Sequence, residues 1–349
     1  MTANAKRVFY VKYLPHACFI DILGERPDVT LTRVENDAPP PVADPVLSAA
    51  HAYQVGSTRD ELAAEFHVTP ALLARAPNLL LVSTHGAGYD TVDLEACTAA
   101  GVVVVNQSGG NREAVAEHVV GMLLCLAKRI VECDRALRAG TLRDRNSFMG
   151  HDIVGKTIGI VGIGNVGSRV AELCRGLFGM RVLACDPLLT KEQIAARGAE
   201  KVELDALLRE ADFVSINCPR IRTTENMIGA REFALMKPHS YFITTARGGI
   251  HDEAALEAAL ASGKLAGAGL DVWAKEPPPA DHPLLRFDNV VASAHTAGVT
   301  HEARINMGRY AAEQILETLD GKRPPRILNP EVWPRYAERF ARILGTPPQ

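Results

Sequence analysis

Short β-rich apolar runs alternate with helical patterns along nearly the whole chain, and this alternation limits the fold more than any other feature. Runs at residues 8–14, 29–34, 52–55, 79–83 and 102–106 are separated by helical stretches such as 70–76 and 92–100. Strands joined through helices pair in parallel, because a parallel crossover needs a dozen or more residues. A second series, at 157–161, 181–185, 213–218, 241–245, 268–272 and 290–293, follows a helical segment at 111–138. That segment carries Val115, Val119, Met122, Leu123 and Leu126 at helical spacing, and it is expected as one long helix carrying the chain between lobes. The 349 residues exceed one comfortable core. The pattern predicts an α/β protein of two doubly wound parallel-sheet domains, Rossmann-like or flavodoxin-like, with a cleft between them.

Smaller signals refine this outline. Thr190 and Gln193 form a capping-box pair at a helix start, and Gly263 suits a helix end. Residues 38–41 look like a surface loop, and Trp333, Tyr336 and Phe340 are expected to pack back on the first lobe.

Composition excludes several classes of function. Apolar residues make up 47% and charged residues 23%, a balance that favours a folded chain over extended disorder. A net charge of −3 offers no broad positive field, so no nucleic acid partner is expected. Cys18, Cys97, Cys125, Cys133, Cys174, Cys185 and Cys218 never form C-x-x-C and are read as reduced, buried packing residues rather than metal ligands. Residues 1–6 are polar, and no apolar stretch reaches membrane-spanning length, so no membrane partner is expected and the cytoplasm is the default.

Gly162, Gly164 and Gly167 form G-x-G-x-x-G directly after the run 157–161 and before a helix with Val166, Val170, Leu173 and Leu177 on one face. The first glycine permits a tight turn, the second lets backbone approach a pyrophosphate, and the third lets helix meet strand. The next strand ends at Asp186, nineteen residues after Gly167, where a carboxylate meets the ribose hydroxyls of NAD and repels a 2′-phosphate. NAD rather than NADP is therefore the expected cofactor.

Ligands in open α/β sheets bind beyond the carboxyl ends of strands. Arg247, Glu276 and His295 all follow predicted strands. Reducing a 2-oxo acid needs a cation for carboxylate and carbonyl and an acid for the developing alkoxide. Arginine supplies a permanent planar charge, histidine titrates near working pH, and a carboxylate would fix the imidazole tautomer. Taken singly, each residue also has a purely structural explanation.

Residues 162–298 closely resemble the D-isomer-specific 2-hydroxyacid dehydrogenases through V-G-I-G-N-V-G with Asp186-Pro187, T-A-R-G-G-I-H-D-E-A-A-L, G-L-D-V-W-A-K-E-P and H-T-A-G. The resemblance extends into the first lobe through Thr84-His85-Gly86-Ala87-Gly88-Tyr89-Asp90 and the stretch from Asn106 to Glu117. It implies catalytic roles for Arg247, Glu276 and His295, and a contact of Asp271 with the nicotinamide carboxamide. Ala87 and Gly88 inherit reception of the substrate carboxylate through backbone N–H groups, alongside Arg247 and His295. The expected cofactor contacts are Gly162, Gly164, Asn165, Val166, Gly167, Asp186, Cys218, Pro219, Thr224, Thr245, Ala246, Asp271, His295 and Gly298. The resemblance further implies a discontinuous substrate domain of residues 1–110 and 301–349, an NAD-binding domain of 111–300, a homodimer joined through the nucleotide lobe and long helix, and cleft closure that excludes water. Thr244, Asn217 and Ala294 stand where asparagine, histidine and proline are frequent in the family.

The expected reaction is hydride transfer between NADH and C2 of a small 2-oxo acid, with Arg247 holding the substrate and His295, backed by Glu276, supplying the proton. An NAD(H)-sensing corepressor is the alternative from another class, disfavoured by the lack of long polar or basic extensions. Formate oxidation is disfavoured because that branch replaces the acidic partner with glutamine, whereas phosphite oxidation keeps a similar triad. The chain ends too early for an added serine-sensing domain, so amino acid feedback is not expected.

Overall fold

The computed structural model describes residues 5–349, so part of the polar stretch at 1–6 lies outside the described residues. The chain divides into two compact units, one of residues up to Asn111 together with Thr300–Gln349, the other of Arg112–Val299.

The first unit runs β1 (Lys6–Val11), α1 (Cys18–Gly24), β2 (Val29–Val34), α2 (Pro40–Ala49), β3 (Ala52–Val55), α3 (Pro70–Arg75), β4 (Leu81–Thr84), α4 (Leu94–Ala100) and β5 (Val103–Val105). The strands are all parallel in the order β2-β1-β3-β4-β5, the flavodoxin-like arrangement. Residues 38–41 depart from the loop expectation: Pro40 opens α2, where its fixed φ and missing N–H suit the first turn. Asp93 caps α4 by accepting from the Ala96 N–H, so that helix starts two residues later than its apolar pattern.

The second unit runs α5 (Arg112–Ala127), α6 (Ile130–Arg138), β6 (Thr157–Val161), α7 (Asn165–Phe178), β7 (Arg181–Cys185), α8 (Lys191–Ala195), β8 (Glu200–Lys201), α9 (Leu204–Glu210), β9 (Phe213–Ile216), α10 (Ala230–Leu235), β10 (Ser240–Thr244), α11 (Glu253–Ala261), β11 (Leu265–Leu270) and β12 (Val290–Ala292). All seven strands are parallel in the order β12-β11-β10-β9-β6-β7-β8, with the direction of winding reversing between β6 and β9. That reversal is where a Rossmann sheet opens its ligand crevice. Thr190 and Gln193 make the expected capping box on α8, and Gly263 takes φ +70° after α11.

The expected single helix over 111–138 is two helices. The Ala127 carbonyl accepts from the His151 N–H at 2.8 Å instead of continuing the helical ladder, and Arg129 takes φ +55°. Val115, Val119, Met122, Leu123 and Leu126 are all buried on α5, which meets the core on most of its circumference.

The chain then returns to the first unit through α12 (His301–Leu319) and α13 (Trp333–Leu344). Thr300 caps α12 by accepting from the Ala303 N–H. Tyr336 and Phe340 are buried with Phe19, Leu80, Val103 and Ile315, and Trp333 packs against the same cluster. Burying each such ring contributes roughly 1.5–3 kcal/mol. Among the cysteines only Cys97 and Cys174 are buried; the other five are half-buried, which corrects the expectation that all are core residues.

Candidate active site

The glycine turn after β6 has the construction its spacing requires. Gly162 takes φ +85°, and a Cβ there would lie 2.7 Å from the Cys218 nitrogen. A Cβ on Gly167 would lie 2.2 Å from the Gly162 carbonyl oxygen, so this glycine is where α7 meets the strand. Gly164 has nothing within 4 Å of its Cβ position, which leaves its backbone open to a ligand at the N-terminus of α7. Asn165 and Val166 form the first turn of that helix.

Asp186 follows β7 and accepts from the Ile163 and Leu188 N–H groups, at 3.1 and 3.0 Å. These bonds tie the carboxylate to the turn and orient it there. Cys218 and Pro219 follow β9 beside Gly162, and the Thr224 hydroxyl donates to the Pro219 carbonyl at 2.7 Å, closing its own turn. Burial pushes the Cys218 thiol up to about 11. An open glycine at a helix N-terminus fits the pyrophosphate of NAD, and a carboxylate held at the same turn fits its adenosine ribose.

Three adjacent strands deliver the candidate catalytic groups. Thr245, Ala246 and Arg247 follow β10, Asp271 and Glu276 follow β11, and Ser293 and His295 follow β12. A Cβ on Gly248 would lie 1.8 Å from the Trp273 carbonyl oxygen, so only glycine lets the Arg247 loop press against the loop leading to Glu276. The Arg247 guanidinium donates to the Ala246 carbonyl at 2.6 Å.

His295 Nδ1 donates to Glu276 Oε2 at 2.7 Å, and Glu276 Oε1 accepts from the Trp273 N–H at 3.1 Å. Burial alone would raise the Glu276 carboxyl; the His295 bond and charge, the Trp273 N–H and the Arg247 charge outweigh it and hold the group below the usual carboxylate range. With Nδ1 committed, Nε2 is the ring position left for a reacting oxygen. Arg247, Glu276 and His295 therefore form one electrostatic group.

Asp271 is fully enclosed, accepting from the Thr296 and Ala297 N–H groups at 2.8 and 3.0 Å just before Gly298. Ser293 and His118, which complete this cluster, were not legible: His118 lies on α5, 175 residues from its partner Ser293. Of the positions that depart from the commonest pattern, Asn217 donates to Ser215, while the buried Thr244 hydroxyl has no partner among the described residues.

In the first unit, Gly86 takes φ +79° after β4 and its N–H donates to Gln107 Oε1 at 2.7 Å. Asn106 Nδ2 donates to the Ala87 carbonyl at 2.9 Å. The Ala87 and Gly88 N–H groups have no partner among the described residues and can receive an anion. His85 accepts from Arg304 at 2.7 Å; burial and that guanidinium push its imidazole down to about 3.

Residues 120–297 match the family model described as "D-isomer specific 2-hydroxyacid dehydrogenase, NAD binding domain". A D-3-phosphoglycerate dehydrogenase of Archaeoglobus fulgidus is 39% identical over 80% of this chain and 57% of its own length. A glyoxylate reductase of Korarchaeum cryptofilum is 39% identical over 74% of this chain and 78% of its own. The crystal structure of a D-lactate dehydrogenase from Aquifex aeolicus, complexed with NAD and lactic acid, superposes with a TM-score of 0.79 at 26% identity, covering 92% of this chain and 99% of that one.

Proposed function

The chain belongs to the D-isomer-specific 2-hydroxyacid dehydrogenases and is an NAD-dependent oxidoreductase acting on CH–OH groups, and from that premise we propose that it reduces a small 2-oxo acid to the D-2-hydroxy acid with His295 as the proton donor. The observation that carries this reading is the 2.7 Å pairing of His295 Nδ1 with Glu276 beside Arg247. Bound NADH supplies the hydride that arrives at C2.

Arg247 holds the substrate carboxylate and polarises its carbonyl, with the Ala87 and Gly88 N–H groups as further carboxylate donors. Glu276 accepts the Nδ1 proton and fixes the orientation of the imidazole, so Nε2 is the position that gives its proton to the forming alkoxide. In oxidation the same nitrogen takes the proton back. The family's other cofactor positions, from Gly162 to Gly298, belong to the same proposal; the carboxamide contact of Asp271 does not, since its carboxylate is wholly enclosed and taken by Ser293, Thr296 and Ala297.

A general acid contributes ~10² to 10⁴ in rate, so His295→Ala should lose at least a hundredfold in kcat with 2-oxo acids while still binding NADH. A variant that turns over at the native rate would discard the assignment. A dozen 2-oxo acids, glyoxylate, hydroxypyruvate and 3-phosphohydroxypyruvate among them, would identify the substrate in one screen.

We also assign the cytoplasm, from the cysteine pattern, and a homodimer. The dimer is supported by α6, which buries none of its residues and leaves Ile130 and Leu137 exposed. A monomer in sedimentation at micromolar concentration would remove that part.

A further inference from the structure

The geometry points to His118 and Ser293 as positioning residues for the general acid, acting through the buried Asp271; this rests on His295 being that acid. His295 occupies the left-handed region at φ +54°. A residue other than glycine is strained there, so its surroundings must impose the turn.

Asp271 imposes it from both ends of the residue. Its backbone carbonyl accepts from the His295 N–H at 2.6 Å, Oδ1 accepts from the Thr296 N–H and Oδ2 from the Ala297 N–H. Three successive N–H groups of the turn thus converge on one residue, which is wholly enclosed at 0% exposure. A carboxylate so deep depends on every donor it has.

Ser293 is the remaining donor. Its hydroxyl lies 2.6 Å from Asp271 Oδ1 and 3.0 Å from His118 Nε2. A hydroxyl has one proton, and Asp271 serves as the acceptor in its other bonds. The Ser293 proton therefore goes to the carboxylate, and the hydroxyl oxygen accepts from His118 Nε2–H. The order is histidine to serine to aspartate, so Ser293 is not activated as a nucleophile; it is locked as a donor. Its backbone is pinned as well, with its N–H on the Leu270 carbonyl at 2.9 Å and its carbonyl accepting from the Trp273 indole N–H at 2.9 Å. Trp273 also donates to Glu276, so both supports of His295 meet at this point.

The result is a chain from α5 to the catalytic turn that sets where Nε2 of His295 stands without touching substrate. Ser293→Ala removes one of the three donors to the carboxylate and should lower kcat about tenfold, with the KM of the oxo acid and the Kd of NADH changing less than about threefold. Ser293→Thr, which keeps the hydroxyl, should restore kcat. His118→Leu should resemble Ser293→Ala, and His118→Gln, whose amide can still donate, should resemble the native enzyme; this pair decides the matter if Ser293→Ala does not fold.

A purely structural role would lower the melting temperature and leave kcat per folded molecule unchanged, and that result overturns the proposal. So does a defect confined to NADH affinity. The His295→Ala control separates the two levels: native turnover there sinks the general acid, whereas an inactive His295→Ala beside native-like Ser293 and His118 variants sinks only the positioning chain.

Discussion

The two units each present backbone N–H groups on a glycine-bearing turn after a parallel strand, and they hold those turns by different means. In the second unit the glycines themselves do it: backbone meets backbone at Gly162 and Gly167, where a single added carbon would fall within 2.7 Å and 2.2 Å of main-chain atoms. In the first unit Gly86 supplies only the positive φ, and the turn is held by amide side chains from further along the chain. Gln107 accepts from Gly86 and donates to the Ser83 hydroxyl at 3.0 Å, Asn106 holds the Ala87 carbonyl, and Gln314 from α12 donates to the Asn106 carbonyl at 3.0 Å. A turn defined by missing atoms tolerates no substitution. One defined by hydrogen bonds can be loosened by degrees.

The largest effect should therefore come from Gly167→Ala. The new methyl meets the Gly162 carbonyl, backbone that cannot rotate away, so the second unit should lose well over ~3 kcal/mol, beyond the usual range for overpacking, and with it NADH binding. Gly164→Ala, with open space around its Cβ position, should melt like the native protein and lose only NADH affinity. Thermal melts with fluorescence titration of NADH check the pair; a Gly167→Ala protein that melts and binds normally would erase the contrast.

Gln107→Leu should do less. It leaves the buried Gly86 N–H and Ser83 hydroxyl unpaired, a cost of ~1–3 kcal/mol, and frees the turn that carries the Ala87 and Gly88 N–H groups. The KM of the 2-oxo acid should rise severalfold while NADH affinity holds. Equal losses in both would mean the two turns do not act on separate ligands.

The same contrast explains what could be read from the residues alone. The second-unit turn, the carboxylate of Asp186 beside it and the placement of Arg247, Glu276 and His295 just after strands are set by local spacing, which the sequence displays. Asn106, Gln107, Gln314, Ser293 and His118 act through side-chain bonds spanning about twenty to more than two hundred residues, which no local pattern records. The break in the 111–138 helix has the same origin, since the carbonyl that ends α5 is taken by His151 from a later loop. Residues 38–41 differ from the expected loop for another reason: a proline cluster suits a helix start as well as a loop.

The smallest effect concerns a histidine beside each loop. His85 accepts from Arg304 in the first unit, whereas His251 in the second is 2% exposed and neither ring nitrogen has a partner among the described residues. Burial pushes His251 down to about 4, against the opposing pull of Glu253 and Asp252. Its folded value lies below the unfolded one of about 6.5, so the unfolded chain takes up a proton first as pH falls. Stability from this residue is complete above about pH 6.5 and declines toward pH 4, by ~2 kcal/mol at pH 5. His251→Leu fills the site with an apolar group and removes that decline, raising the melting temperature at pH 5 by about 5 °C relative to native while changing it little at pH 8. Leucine at His85 should instead cost the Arg304 bond at every pH. Parallel melting curves for native and His251→Leu protein from pH 8 to pH 5 would show that the buried imidazole has found a donor or acceptor after all.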